Sequence, residues 1–196
     1  MESPEVMTDA LVQLKDHLGV ELVRWLARVA FVAWAGWLIL TVARAPAVVR
    51  RFLWSTGLLV HMCHVGCAFH FIHHWSHAEA VEHTARLTAR VTGWHWGQGV
   101  WINYAFTLLW IIDAAWWWTQ PANRPRPPVW TVPLHAFFLF LFFNATVVFG
   151  PWGWKPVGVG VVLLVGVTWK VAGHASTNRE KRASDSEAIR SGPNNS

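Results

Sequence analysis

Apolar positions in this chain run on for long distances instead of alternating, and the runs break at Arg, Lys, Pro and Gly. Continuous apolar runs of this length read as buried or membrane-crossing helices, and the period-two alternation of a membrane β-barrel is missing. They predict five spans, over residues 25–43, 52–75, 100–119, 132–149 and 157–171, each near the roughly 20 apolar residues a bilayer requires. The first and last are short, so Arg24, Arg28, Arg44 and Lys170 are expected to snorkel to the interfaces. A four-span bundle with 157–171 lying in the interface is the alternative.

The segments between the spans have patterns of their own. Met7, Leu11, Leu14, Leu18 and Leu22 recur at helical spacing, which predicts an amphipathic helix that lies on the membrane or extends the first span. Residues 76–92 lack Gly and Pro and set Ala80, Thr84, Leu87 and Val91 against Glu82, Arg86 and Arg90, as a surface helix would. Ser76 followed by Glu79 matches a capping box that starts that helix anew. Alternatively, the second span runs on through it. Pro121 to Pro133 reads as an extended connector, because Pro125, Pro127 and Pro128 do not continue a helix. The organisation expected is an all-α integral membrane protein: an amphipathic N-terminal unit over 1–24, a five-helix bundle over 25–172, and a disordered tail over 173–196.

Composition agrees with that class. Hydrophobic residues make up 54% of the 196 and charged residues 14%, against about 25% charged in soluble domains. Disorder, a coiled coil and a disulfide scaffold are excluded as the main architecture. The net charge of +5 is not gathered on a soluble domain, so nucleic acid is not the expected partner, and the lipid bilayer is. With the N-terminus outside, ten of the 16 Lys and Arg fall in cytoplasmic segments, which favours a C-terminus in the cytoplasm. The first twenty residues show no cleavable signal-peptide pattern. The location expected is the bacterial inner membrane.

Histidine carries the candidate chemistry. Eight of the 11, His61, His64, His70, His73, His74, His77, His83 and His95, fall within 35 residues. On one continuous helix Cys63, Cys67, His70, His74 and His77 form a stripe with His73 beside it, while His61 and His64 face elsewhere. Counting from the span ends at the helical rise sets His61, His64, Asp113 and His135 in one layer about 20 Å deep. His70, His73, His74, His77 and His95 form a second, outer layer with Glu79 and Glu82 nearby. A carboxylate at the depth of Asp113 requires a partner or a proton, and histidine is the partner expected here. The outer layer offers enough nitrogen and oxygen for iron, zinc or copper, and His61 or His64 with His135 offers axial ligands for haem b. A lone histidine such as His135 also fits a simple hydrogen-bonding role between helices. Most of the 16 Trp fall near span ends, as an aromatic belt does, with Trp34, Trp37 and Trp110 deeper.

His70-Phe71-Ile72-His73-His74 resembles the histidine boxes of membrane di-iron desaturases and hydroxylases, although those families use several boxes and a second is missing here. His61-Met62-Cys63-His64-Val65 before a Trp-rich span is similar to a helix of cytochrome oxidase subunit III, where the Trp-rich helix ends the chain instead of preceding two more spans. A Trp-rich five-span sensor of the translocator protein type fits the number of spans and not the motif order. None of these resemblances assigns a family. The function expected is a redox role, with haem or iron, on a lipid-soluble substrate such as a quinone. Copper or zinc transport through Met62, Cys63, Cys67 and the His stripe is one alternative, and a cofactor-free accessory subunit of a larger membrane complex is the other.

Overall fold

The computed structural model describes residues 4–121, 124 and 126–167, with the side chains of all but 4–6 and 10. Its described residues are helical, without strands. Five α-helices follow in order: α1 (Pro4–Val42), α2 (Ala47–Phe71), α3 (His77–Thr92), α4 (Gly99–Thr119) and α5 (Pro128–Phe143). A π-helical turn, Asn144–Val148, extends α5, and a short 3-10 turn, Trp152–Trp154, leads into α6 over residues 155–167. The polar tail 173–196 and the end of the fifth predicted span lie outside the described residues.

Three segments are long and apolar enough to cross a membrane: Met7–Val42, Ala47–Phe71 and Pro128–Val148. The five predicted spans are therefore not all reproduced on that criterion. Helix α4 has 21 residues, but its Trp residues, Asn103 and Asp113 hold its mean hydropathy down, and the last apolar helix, Trp152–Val167, is short. The first span is not a separate helix either. It is the second half of α1, whose 39 residues reach about 58 Å at the helical rise, roughly twice the hydrocarbon thickness of a bilayer. The predicted amphipathic segment is the other half, with Met7, Leu11, Leu14 and Leu18 all exposed.

The largest difference concerns the histidine stripe. Helix α2 stops at Phe71, and His74 and Trp75 both take left-handed backbone, with φ of 47° and 60°. Two consecutive left-handed residues do not continue a right-handed helix, so the stripe of one continuous helix does not exist. The new helix starts as the capping-box reading predicts: the Ser76 hydroxyl accepts from the Glu79 N–H at 3.2 Å. The Glu79 carboxylate does not complete the box, because it bonds His74 instead. Helix α3 ends at Gly93, whose φ of 79° suits a residue without Cβ.

Aromatic rings fill the centre. Trp34 and Trp37 of α1, Trp54 of α2, Trp110 and Trp117 of α4, and Phe138 and Phe142 of α5 form one buried cluster. Trp54 and Trp117 belong to this core, not to the belt at the span ends. Gly57 lets the helices approach: a Cβ there would meet Trp110 at 3.0 Å and Ala33 at 3.2 Å. The α1–α2 turn and the α4–α5 connector lie at the same end, because Arg51 of α2 donates to the carbonyls of Gln120 and Pro121 at 2.7 and 3.0 Å. The Gln120 carbonyl is the C-cap of α4, and Pro121 follows it, so Arg51 ties the end of that helix to α2 across the bundle.

Candidate functional site

The predicted inner layer of His61, His64, Asp113 and His135 divides into two places. His61 and His64 share the wall of a partly open cavity of about 460 Å³ lined by α1, α2, α3, α4, α5 and the π-helical turn. Asp113 and His135 belong to a separate polar cluster next to the connector.

In the cavity, hydrogen bonding sets the tautomers. Thr107 Oγ1 donates to the Asn103 carbonyl at 2.9 Å, so toward His61 Nε2, also 2.9 Å away, the same hydroxyl accepts. His61 is therefore protonated on Nε2, and its Nδ1 keeps a lone pair when the ring is neutral. His64 Nδ1 lies 2.9 Å from the Val23 carbonyl, which only accepts, so the proton of His64 sits on Nδ1 and the lone pair on Nε2. The two rings stand 5.9 Å apart at 29°, and His61 also stacks on Trp110 at 5.5 Å. Two residues that each keep one acceptor nitrogen thus line the cavity. The remaining wall is largely apolar, with Phe31, Phe69, Phe106, Leu141 and Phe142 among its residues.

Charge and an irregular backbone mark the cavity further. Arg28 lies on its wall, its guanidinium held between the indoles of Trp25 and Trp154 at 4.7 and 4.9 Å. Arg24 pairs with Glu21. The π turn contributes Ala145 and Thr146, and such turns recur at functional sites because the extra residue opens a helix face. The Thr146 hydroxyl donates back to the Phe142 carbonyl at 2.6 Å, one of the bonds that steady the turn.

The outer histidines are spread over separate partners. His70 lies against Phe71 and Trp75. His74 bonds Glu79 at 3.0 Å, His77 bonds the Tyr104 hydroxyl at 2.9 Å, and His95 reaches Glu82 at 3.4 Å. His73 meets His83 edge to face at 5.3 Å. Burial, then the facing His83, holds the His73 pKa below its ordinary value, with Glu79 opposing; burial, then Arg86 and Arg90, does the same to His83. Among the described residues no group of three or more His, Cys, Asp or Glu is placed to hold a metal ion. The reason is the break in the helix at His74 and Trp75, which turns HxxHH away from a single face. Cys63 and Cys67 are free thiols, and neither lines the cavity.

Asp113 is fully buried and paired, but with arginine and not histidine. Arg126 from the connector donates to its Oδ1, and Trp130 Nε1 donates to the same oxygen at 3.1 Å. His135 stacks on Trp37 at 4.3 Å, and Trp34 Nε1 approaches its Nδ1 at 3.4 Å. Between His135 and His61 stand Trp54 and Trp110, in ring contact with each other at 5.2 Å. Sequence reasoning missed Arg28, Tyr104, Thr107 and Arg126. For Thr107 the depth count gave no signal, since it sets that residue six positions, nearly two helical turns, above the layer of Asp113 and His61; for Arg126 there was none either. Comparison of the chain with models of known families, with curated proteins and with solved structures gave no match.

Proposed function

We propose that the chain is an integral membrane protein of five spans that binds a lipid-soluble hydroquinone or quinone in the cavity of His61 and His64, in a redox role. The observation that carries this reading is the pair of imidazoles lining a largely apolar cavity, whose hydrogen bonds to Thr107 and Val23 leave each with one acceptor nitrogen. A hydroquinone presents two O–H donors on a flat apolar ring and so matches two acceptors among aromatic side chains. The size is also apt, because small-molecule sites run from about 300 to 1,000 Å³. Neutral imidazole is in addition a base able to take the protons of a hydroquinone whose two electrons pass to a separate membrane redox partner.

Clustering of Arg44, Arg50, Arg51, Arg124 and Arg126 around the α1–α2 turn and the α4–α5 connector supports a cytoplasmic assignment for that end. The N-terminus then lies outside and α4 and α6 complete the five spans. Non-haem iron, and copper or zinc in the metal-handling alternative, would call on three or more protein donors, and no such group is placed among the described residues.

The test is titration of detergent-purified protein with decylhydroquinone, followed by tryptophan fluorescence, with metal content and the reduced and oxidised absorption spectra of the same sample. Saturable quenching is expected from rings such as Trp110, and His64→Phe should weaken binding about tenfold, the value of one hydrogen bond to a buried acceptor. Unchanged affinity in both His61→Phe and His64→Phe sinks the hydroquinone reading. Stoichiometric iron with a reduced haem band would move the redox role to a cofactor.

A further inference from the structure

A guanidinium carries five N–H donors, and a buried one ordinarily spends them on acceptors. That of Arg126 does not. Its side chain is 9% exposed, yet among the described residues only Nη2 donates, to Asp113 Oδ1, while Nε and Nη1 are buried without a partner. Aromatic faces surround it instead. The guanidinium carbon lies 4.7 Å from the ring centre of Trp117, 5.8 Å from Trp37 and 5.9 Å from Trp54, indoles that come from α4, α1 and α2. The second carboxylate oxygen, Asp113 Oδ2, is likewise buried and has no partner among the described residues.

A carboxylate accepts from one or two of a guanidinium's five N–H groups, and indole faces accept from none in the usual sense. Three rings and one carboxylate thus leave most of the fork of Arg126 unspent. They make a good match for a cation that has no donors to satisfy, because π faces and a buried negative charge attract charge without asking for hydrogen bonds. The walls also hold one another: Trp37 packs on Trp54 at 5.1 Å and on Trp117 at 6.2 Å, so the shape does not depend on the Arg126 side chain alone. A pocket whose walls are fixed beforehand binds without the cost of ordering them. We propose that Trp37, Trp54, Trp117 and Asp113 form a cage for an organic cation of the quaternary ammonium class, and that Arg126 is its in-chain occupant. This site is distinct from the His61–His64 cavity and stands whether or not a hydroquinone binds there.

The experiment uses the full chain in detergent, with thermal unfolding read by near-UV circular dichroism. Arg126→Ala empties the cage, and tetramethylammonium chloride should then raise its unfolding midpoint saturably by several degrees, while sodium chloride at equal concentration does not. The unsubstituted protein, whose cage is filled, should respond little. If Arg126→Ala yields no folded protein, the Asp113→Asn/Arg126→Ala double variant keeps the three indoles without a lone buried charge and should show a smaller saturable rise. Equal responses to tetramethylammonium and sodium in whichever of these variants folds overturn the proposal. Repeating the measurement in phosphatidylcholine and phosphatidylglycerol nanodiscs identifies the source. Stabilisation by phosphatidylcholine alone assigns the cage to a lipid headgroup, and stabilisation by the soluble cation in phosphatidylglycerol assigns it to a free one.

Discussion

Removing Arg126 alone and removing it together with Asp113 should have opposite consequences. Asp113 has no exposed surface, and the guanidinium is its only cationic partner among the described residues. Arg126→Ala therefore strands a carboxylate in an aromatic interior, and breaking a buried pair from one side costs about 3–5 kcal/mol. At about 2–4 °C per kcal/mol for a chain of this size, the unfolding midpoint should fall by about 6–20 °C. The Asp113→Leu/Arg126→Met variant removes both charges and returns apolar volume to the cage, so its midpoint should lie within about 1 kcal/mol of the unsubstituted protein, or above it. Thermal unfolding in one detergent, with tryptophan fluorescence as a second probe, measures all three. A loss under 1 kcal/mol for the single variant, or an equal loss in single and double, refutes the argument that desolvated charge governs this end of the bundle.

Three further outcomes follow from other parts of the fold. Gly57→Val should destabilise by about 1–3 kcal/mol, because even one added carbon meets Trp110 at 3.0 Å; near-UV circular dichroism should also register the displaced indole. Ser76→Ala removes the α3 cap and should cost about 1 kcal/mol, seen as faster hydrogen exchange in the first turn of α3. His73 and His83 have folded pKa values below the ordinary value of about 6.5, so their neutral forms are favoured and their contribution is complete above that pH. It is lost as pH falls through 6.5 toward the folded values, so the protection factors of α3 amides, corrected for the intrinsic pH dependence of exchange, should fall as pH is lowered from about 6.5, and His83→Gln should flatten that dependence.

What could be read from the sequence was local. Ser76 and Glu79 announced the start of α3, and the run of apolar residues announced α2 and α5, because caps and runs are properties of neighbouring residues. The HxxHH stripe misled for an equally local reason. It assumed helical dihedrals through His74 and Trp75, two residues whose chemistry gives no warning of left-handed backbone, unlike the Gly that usually occupies such positions. The depth count came close at Asp113 and His135, which do lie in the same polar cluster. It failed for the partner of Asp113, since Arg126 reaches it from a connector that depth counting treats as lying outside the bundle.

The prominence of Trp, His and Arg inside this bundle has a physical rationale if the helices cross a bilayer. Lipid chains solvate Leu and Val as well as a protein core does, so burial alone gives spanning helices little reason to associate. Ring contacts, cation–π contacts and hydrogen bonds are interactions lipid does not replace. They are what join α1, α2, α4 and α5 here: Trp37 on Trp54, Trp54 on Trp110, His61 on Thr107, and Arg126 among three indoles. The same rings separate the two candidate sites, because Trp110 backs His61 on one side and Trp54 meets Arg126 on the other. Trp110→Leu should therefore lower stability and loosen both sites together, whereas His64→Phe acts on the cavity alone. A Trp110→Leu variant that kept full stability would mean that the aromatic core is filler, and that the helices are held by something else.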